Sequence, residues 1–353
     1  MAGKPAATAE RVLTQRELNR ALLARQLLLE RAELPLPRAL ERMAGLQAQY
    51  APSMYVGLWS RVAGLARDDL TRTLERREVV QGTLLRTTIH LVSADDYWPF
   101  ALGVREARRT AWVRVSRRGL SEEQLASAAE RLRIALADGP LRRKEIETLL
   151  GDRLLANGVG LWVDLVRIPP SGTWERRRAD LYELAERWLG RQHGTPEEGV
   201  ELLVRRYLAG FGPAPAADVA NWAGLPVSDV TAALARLGDV RRFRDERGAE
   251  LFDLAGAPLP EAETPAPVRY LPTWDATLLV HARRTGILPE EHRSKVFNTK
   301  TPQSVATFLV DGEVAGTWRH EKGSVRVEPF RRLDSGARRE LDEEAERLAA
   351  FHT

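Results

Sequence analysis

The stretch GLQAQYAPSMYVGLWSR, residues 45–61, places Gln47 and Gln49 two residues apart among mostly apolar neighbours. A side-chain amide donates and accepts hydrogen bonds but is no strong base. On a helix, residues i and i+2 point about 200° apart, whereas in extended chain they share a face. Because Pro52 disfavours helical geometry at Ala51, we expect the preceding helix to end near Gln47 and both amides to project into one cleft. Spacing alone favours the alternative, in which the amides cap exposed carbonyls at that helix end.

Other reactive side chains are scarce. The chain has no cysteine, which excludes disulfides, thiol catalysis and thiolate metal sites. The six histidines show no close pairing, so we expect neither a metal nor a cofactor. No apolar run is long enough to span a bilayer, and the N-terminus lacks the apolar block of a secretory signal. We therefore expect a cytoplasmic protein with no membrane partner.

The charge balance is mildly basic, with 53 Lys and Arg against 49 Asp and Glu. Only five of the cations are lysine and 48 are arginine, the residue that binds phosphate bidentately and stacks on bases. Genome composition explains most of this bias, since Ala, Gly and Leu are also abundant. A net charge of +4 does not by itself establish a nucleic-acid binder.

The elements around the glutamines follow from local patterns. A capping box of Thr14 and Glu17 opens a first helix, and LPLP ends it before a second helix over residues 37–46. A third helix covers SMYVGLWSRVAG and a short fourth covers ARDDLTRTLERRE. The β-branched stretch VVQGTLLRTTIHLVS, around Gly82, then predicts a hairpin. Helices followed by a small hairpin are the layout of a winged helix.

An internal repeat continues this layout. GPLRRKEIETLLG, residues 139–151, matches GPAPAADVANWAG, residues 212–224, and ADLYELA, residues 179–185, matches AELFDLA, residues 249–255. The two signatures recur in the same order, so one supersecondary unit is repeated. In each copy the first signature opens a helix and the second is the return strand of a wing.

The sequence thus predicts an α+β fold, mainly helical, with three tandem winged-helix units and a β-rich C-terminal portion. We expect a strand from 268 to 286 and a second strand region in SVATFLVDGEVAGTWR, where Asp-Gly favours a tight hairpin. An amphipathic helix, with Ser335 and Asp334 as cap candidates, ends the chain. The expected segments are a flexible tail 1–11, winged helices 12–95, 96–190 and 195–257, a linker 258–267, and the C-terminal portion 268–353.

Each predicted hairpin carries arginines suited to a DNA backbone. A solvated wing tip explains any single one of them better, but their recurrence in three successive hairpins favours DNA contact. They are Arg86 in the first hairpin, Arg176, Arg177 and Arg178 in the second, and Arg241, Arg242 and Arg244 in the third.

The quoted residues resemble the winged-helix DNA glycosylases of the AlkZ and YcaQ type. The similarity rests on GLQAQ…GLWSR, on GTLLRTTIHLVSADDYW, on YLAGFGPAPAADVANWAGL and on LPTWDATLLV…VDGEVAGTWR, and it runs from about Thr14 to Phe330. The family is known for tandem winged helices that form a C-shaped clamp on duplex DNA and for a Gln–apolar–Gln motif. Here the motif reads Gln47–Ala48–Gln49, with a small central residue.

The resemblance implies that Gln47 and Gln49 jointly position a water and stabilise an oxocarbenium-like transition state. It also makes Thr88 and His90 of the first hairpin candidates for DNA contact, although His90 could equally be a packed core residue. Arg61 could anchor a phosphate or pair with Asp68 or Asp69. Arg319 and Asp275 match family positions, and both could be structural; Trp59 fits a core better than a base-stacking platform.

These inferences predict a monofunctional DNA glycosylase, acting as a monomer on duplex DNA with alkylated or crosslinked bases. N7-alkylated purines are the expected substrates, and interstrand crosslinks could also be unhooked. No lysine lies near the motif, which argues against a Schiff-base step. A non-catalytic winged-helix regulator is the alternative, and a protein that merely sequesters damaged DNA is a weaker one. A pure binder, however, has no use for two amides on one face of a cleft.

Overall fold

The computed structural model describes residues 9–115, 120–279, 286–297 and 304–353. Helices predominate and strands are fewer, which confirms the predicted α+β class. The helices are α1 Gln15–Arg25, α2 Leu36–Met43, α3 Ala51–Trp59, α4 Arg67–Glu75, α5 Ala94–Val115, α6 Glu122–Leu136, α7 Arg143–Leu150, α8 Arg153–Gly158, α9 Ala185–Leu189, α10 Pro196–Phe211, α11 Ala216–Ala223, α12 Val227–Arg236, α13 Ala276–Leu279, α14 Arg293–Val296 and α15 Ser335–His352. The strands are β1 Val12–Leu13, β2 Leu46–Gln47, β3 Val79–Thr83, β4 Ile89–Ser93, β5 Leu141–Arg142, β6 Leu165–Arg167, β7 Leu181–Leu184, β8 Val240–Asp245, β9 Glu250–Leu254, β10 Arg269–Leu271, β11 Thr307–Val310, β12 Glu313–Glu321 and β13 Ser324–Pro329.

Helix boundaries follow the capping signals in part. The Thr14–Glu17 capping box is present at α1, and the Asp334 side chain accepts the hydrogen bond that caps α15. The second helix, however, ends at Met43, three residues before its predicted end. Ala44 and Gly45 turn the chain with φ of 64° and 75°. This left-handed turn suits glycine, and it leads directly into β2.

The first two predicted hairpins form one six-stranded sheet with strand order β2-β4-β3-β6-β7-β5. β3 and β4 pair antiparallel as predicted, and β3 also pairs with β6, which fuses the two hairpins. One row of paired residues across the sheet comprises Gln47, His90, Gly82 and Val166. Gly82 is required here, because a Cβ would lie 2.7 Å from a ring carbon of Tyr97 in α5.

The two copies of the repeat contain matching elements. α7 and α11 end at Gly151 and Gly224, with φ of 71° and 75°, and each copy supplies a return strand, β7 or β9. β8 and β9 pair antiparallel, and β1 joins them in parallel. The backbone N–H of Glu10 donates to Arg242 at 2.9 Å, and its carboxylate pairs with Arg241. Residues 9–11 are therefore bound to this hairpin rather than loose, while residues 1–8 of the predicted tail lie outside the described ranges.

The C-terminal portion contains the antiparallel sheet β10-β11-β12-β13, as predicted. Asp311 and Gly312 form the tight turn between β11 and β12, both with positive φ. The expected strand over 268–286 is wrong beyond Leu271, since residues 276–279 are the helix α13; residues 280–285 are not among those described. The segment 258–267 has neither helix nor strand.

Buried contacts join these parts. α10 packs along α5, and the core there includes Phe100, Tyr207 and Trp222. All nine residues of α3 are buried, because β10 and the C-terminal sheet cover the side that faces away from β2. Arg25 of α1 makes a fully buried bidentate ion pair with Asp253 of β9. In the ranges given above, no helix combines the length and the apolar character that crossing a bilayer requires.

Candidate functional site

The two glutamines lie on extended chain immediately after the turn that ends α2. Gln47 belongs to β2, and the backbone N–H of Ala48 donates to Ile89 at 2.8 Å, which continues the pairing with β4. The side-chain Nε2 of Gln47 donates to Oε1 of Gln49 at 2.5 Å. The 9% exposed Gln47 therefore fixes the side chain of the exposed Gln49.

The alternative role of these amides as helix caps does not fit the structure. α2 ends four residues before Gln47, and its last carbonyl, on Met43, accepts instead from Nε2 of Gln26 at 3.2 Å. Extended geometry brings the two amides together, as the i, i+2 spacing predicts for a strand.

His90 lies directly opposite Gln47 in the sheet, on the same face. Its ring is 4% exposed, and its Nδ1 lies 3.1 Å from the carbonyl oxygen of Thr88. Burial, together with the charge of Arg86, lowers the pKa of His90 to about 3. His90 is therefore a neutral residue packed opposite Gln47, which agrees with the core role considered for it, and its contact with DNA stays a prediction.

Thr88 and Arg86 form part of the turn between β3 and β4. The half-buried Thr88 hydroxyl donates to the carbonyl of Leu85 at 3.0 Å. The guanidinium of Arg86 donates to the carbonyl of Trp222 at the end of α11. Burial lowers the pKa of Arg86. Both side chains thus make internal contacts that stabilise the turn.

A cleft of about 480 Å³ begins at Tyr50, the residue after Gln49. The predicted DNA contacts Arg177 and Arg319 both line it, although they come from different sheets. Nη1 of Arg177 donates to the Tyr50 hydroxyl at 3.2 Å. Arg319 is 62% exposed and pairs with Glu328 at 2.6 Å. The exposed Arg176 adjoins Arg177 in the chain, so three of the predicted cations line the cleft that begins at Tyr50 or neighbour a residue that does.

Two predicted contacts lie elsewhere. Arg61 is fully buried, and its Nη2 donates to Asp275 at 2.9 Å. It pairs with neither Asp68 nor Asp69 and cannot reach DNA, because α3 and the segment after β10 enclose it. Arg242 lies on β8 and is not among the residues that line the cleft. Its charge is paired with Glu250 at 2.9 Å.

Some residues of the site were not foreseen. Tyr50, Trp174, His320 and His352 line the cleft. The rings of His320 and His352 stack with centroids 4.2 Å apart. Of these, only Tyr50 had a local signal, its position directly after the motif. The others come from distant segments that the fold brings together.

Comparison with known proteins extends these observations to the whole chain. The family model described as DNA glycosylase AlkZ-like matches residues 40–351, a range that includes the glutamine pair and every residue lining the cleft except His352. The chain belongs to the AlkZ-like DNA glycosylase family. The solved structure of Streptomyces sahachiroi DNA glycosylase AlkZ is similar to it, with a TM-score of 0.81 and 20% identity over 97% of each chain. No curated protein matches the sequence.

Membership of the AlkZ-like family makes the protein a DNA glycosylase, and DNA is its substrate. The structural similarity, at 20% identity, establishes a shared fold. Gln47, Gln49, Tyr50 and the residues lining the cleft form the candidate site of this glycosylase.

Proposed function

We propose that this glycosylase hydrolyses the N-glycosidic bond of N7-alkylated purines, and that it also unhooks interstrand crosslinks attached at N7. The observation that carries the proposal is the hydrogen bond between the Gln47 and Gln49 amides, on the chain that leads directly into Tyr50 at the wall of a cleft. It is a site built of dipoles, in keeping with a substrate that needs no strong acid.

The chemistry of the substrate suits such a site. A purine alkylated at N7 carries a positive charge, so it leaves as a neutral base when the C1′–N9 bond breaks and N9 takes the electron pair. The sugar then carries oxocarbenium character, which the negative end of an amide dipole stabilises. A water held by hydrogen bonds to a glutamine oxygen adds to C1′ and loses a proton to solvent. No residue of the protein needs to protonate the base.

Gln49 is the better placed of the two glutamines to hold that water. Its Oε1 accepts one hydrogen bond from Gln47, and an amide oxygen can accept two. The side chain of Gln49 is exposed, whereas Gln47 is buried and pairs with His90 of β4. Gln47 thus orients the acceptor, and Gln49 presents it to the substrate.

We further propose that DNA binds along tandem winged-helix units, 12–95, 96–190 and 195–257, arranged as a clamp. Three helix-then-hairpin units support this, with hairpins β3–β4, β6–β7 and β8–β9. The cations at the cleft, Arg176, Arg177 and Arg319, would contact phosphates on either side of the lesion. A cleft that receives the lesion along the groove does not require the base to be flipped freely, so it can accommodate a crosslinked base.

The test is base release from two duplexes, one with N7-methylguanine and one with an N7–N7 interstrand crosslink. Gln47→Ala and Gln49→Ala are compared with wild type and with Gln192→Ala, an exposed glutamine that contacts Arg105 instead. We expect release by wild type and by Gln192→Ala, and a loss of about 10²-fold or more in each motif variant with DNA binding intact. Tight binding without release from either duplex would reject this substrate assignment and favour a sequestering or regulatory protein.

A further inference from the structure

The turn between β3 and β4 is surrounded by arginines that have no carboxylate partner. Arg108 of α5 is 8% exposed and donates Nη1 to the carbonyl of Thr83 at 2.8 Å. Arg167, on β6, is also 8% exposed. Neither forms an ion pair within the described ranges, and every Asp and Glu of the chain lies in those ranges. The positive charge beside this turn is therefore not neutralised by a direct ion pair.

Arg167 is the less satisfied of the two. Its Nε and Nη1 are buried without a hydrogen-bond partner in the part of the chain that the structure describes. Its guanidinium carbon lies 5.0 Å from the centre of the Tyr182 ring, and burial lowers its pKa. Buried polar groups in folded proteins are almost always paired, and a buried unpaired charge is strongly unfavourable.

Two other buried arginines of this chain are each neutralised by a buried carboxylate. Arg25 pairs with Asp253 at 2.6 Å and Arg61 pairs with Asp275 at 2.9 Å, both inside the core. In contrast, Arg167 lines a cavity of about 230 Å³. Its free donors therefore have space beside them.

The rest of the cavity suits an oxyanion. Thr83 and Thr87 of the turn line it together with Arg143 of α7 and Asn157 of α8. Nη2 of Arg143 donates to Oδ1 of Asn157 at 2.5 Å, which holds both side chains in place at this wall. The planar guanidinium of Arg167 presents paired N–H donors that match phosphate geometry.

We propose that this cavity binds one phosphate oxyanion through Arg167, and that the backbone of bound DNA supplies it. The proposal rests on the proposed function only for the source of the phosphate. The turn Thr83–Thr88 precedes His90 of β4, which pairs with Gln47 of β2, so a phosphate held there lies on the hairpin next to the strand that carries the glutamine site. Arg167 is a positioning residue, because it acts on the register of the DNA and not on the reacting atoms.

The first measurement is the salt dependence of binding to an undamaged duplex. We expect Arg167→Met to weaken binding by about tenfold to a hundredfold and to reduce the slope of log Kd against log salt by about one. Arg338→Met is the matched control, since it removes an exposed arginine that is paired with Asp342 on α15. A folded Arg167→Met protein with an unchanged slope would overturn the assignment of a DNA phosphate.

The second measurement locates the phosphate. Single neutral methylphosphonates are placed at successive positions beside an N7-methylguanine whose sugar carries a 2′-fluorine that resists hydrolysis. At one position, neutralisation should weaken wild type but leave Arg167→Met unaffected. If every position affects the two proteins equally, the source is not the DNA backbone.

Two further arms keep the proposal testable if Arg167→Met does not fold or if DNA does not bind. Asn157→Asp keeps the contact with Arg143 on an exposed side chain but adds a negative charge at the cavity, so it should also weaken DNA binding about tenfold. Inorganic phosphate should raise the Tm of wild type more than that of Arg167→Met, against chloride at equal ionic strength. An effect of inorganic phosphate alone would overturn the DNA source, and no effect in any arm would overturn the site. Failure of wild type to bind any duplex would instead reject the proposed function, and the phosphate arm would still decide on the cavity.

Discussion

Gln47 holds Gln49: the buried amide donates to the exposed one at 2.5 Å across a single alanine. The contact uses one lone pair of the Gln49 oxygen and leaves the second able to accept another hydrogen bond. The sheet in turn fixes Gln47, through its pairing with His90.

The two glutamines should behave as one unit in catalysis. We expect Gln47→Ala and Gln49→Ala each to reduce single-turnover base release by about 10²-fold. The double variant should lose little more than either single variant, since removing one amide already disables the pair. The measurement is a double-mutant cycle under saturating enzyme. Losses that multiply in the double variant would show two independent roles and contradict the orienting role of Gln47.

His90 should make stability depend on pH. Its folded-state pKa of about 3 lies below the ordinary 6.5, so between these values the unfolded chain binds a proton that the folded chain does not. The stability that the buried, neutral His90 contributes to the fold is fully present above pH 6.5. As the pH falls from 6.5 toward 3, the free energy of unfolding decreases by about 1.4 kcal/mol per pH unit. Urea unfolding between pH 7 and pH 5 should show a smaller decrease in His90→Gln than in wild type. Equal slopes in the two proteins would mean that His90 titrates normally when folded.

The ion pair of Arg61 and Asp275 should stabilise the fold without contributing to DNA affinity. Both side chains are buried, so Arg61→Met or Asp275→Leu alone leaves an uncompensated group and should lower the free energy of unfolding by about 3–5 kcal/mol. The double variant should recover part of that loss. As a control, Arg293→Met breaks the exposed pair with Glu290 and should cost less than about 1 kcal/mol. A selective loss of DNA affinity in folded Arg61→Met would restore its predicted role as a phosphate anchor.

Arginines at the cleft should contribute more to DNA binding than those of the third hairpin. Arg177→Gln should reduce the salt slope of duplex binding by about one, since its guanidinium contacts only neutral groups, including Tyr50. Arg242→Gln should change it less, because Glu250 already neutralises that charge. The comparison is made by titrating one duplex at several salt concentrations. A larger effect of Arg242→Gln would place the DNA on the third hairpin instead.

Local patterns predicted much of what surrounds the glutamines. The capping box at Thr14, the hairpin around Gly82 and the Asp311–Gly312 turn are confirmed, because each depends on a few neighbouring residues. The end of α2 was misplaced by three residues, since Ala44 adopts φ of 64° without any preference for it. Residues 276–279 were assigned to a strand because a short apolar run does not distinguish a strand from a helix.

Contacts between distant segments left no such signal. Arg61 follows a helix that would be half exposed in isolation, and its partner Asp275 comes from the segment after β10, 214 positions further along the chain. Arg108 and Arg167 are two of 48 arginines, and nothing in their neighbours distinguishes them. Their lack of an ion pair depends on how α5 and β6 pack against the turn between β3 and β4.

The pairing of β3 with β6 has a consequence for which base the enzyme can reach. β2 and β6 are separated by two intervening strands, a distance of about 14 Å at the usual spacing between neighbours. Backbone hydrogen bonds keep that distance constant whatever sequence is bound. The distance along the DNA strand from the phosphate bound at β6 therefore determines which nucleotide reaches the glutamines, before the protein contacts any atom of that nucleotide.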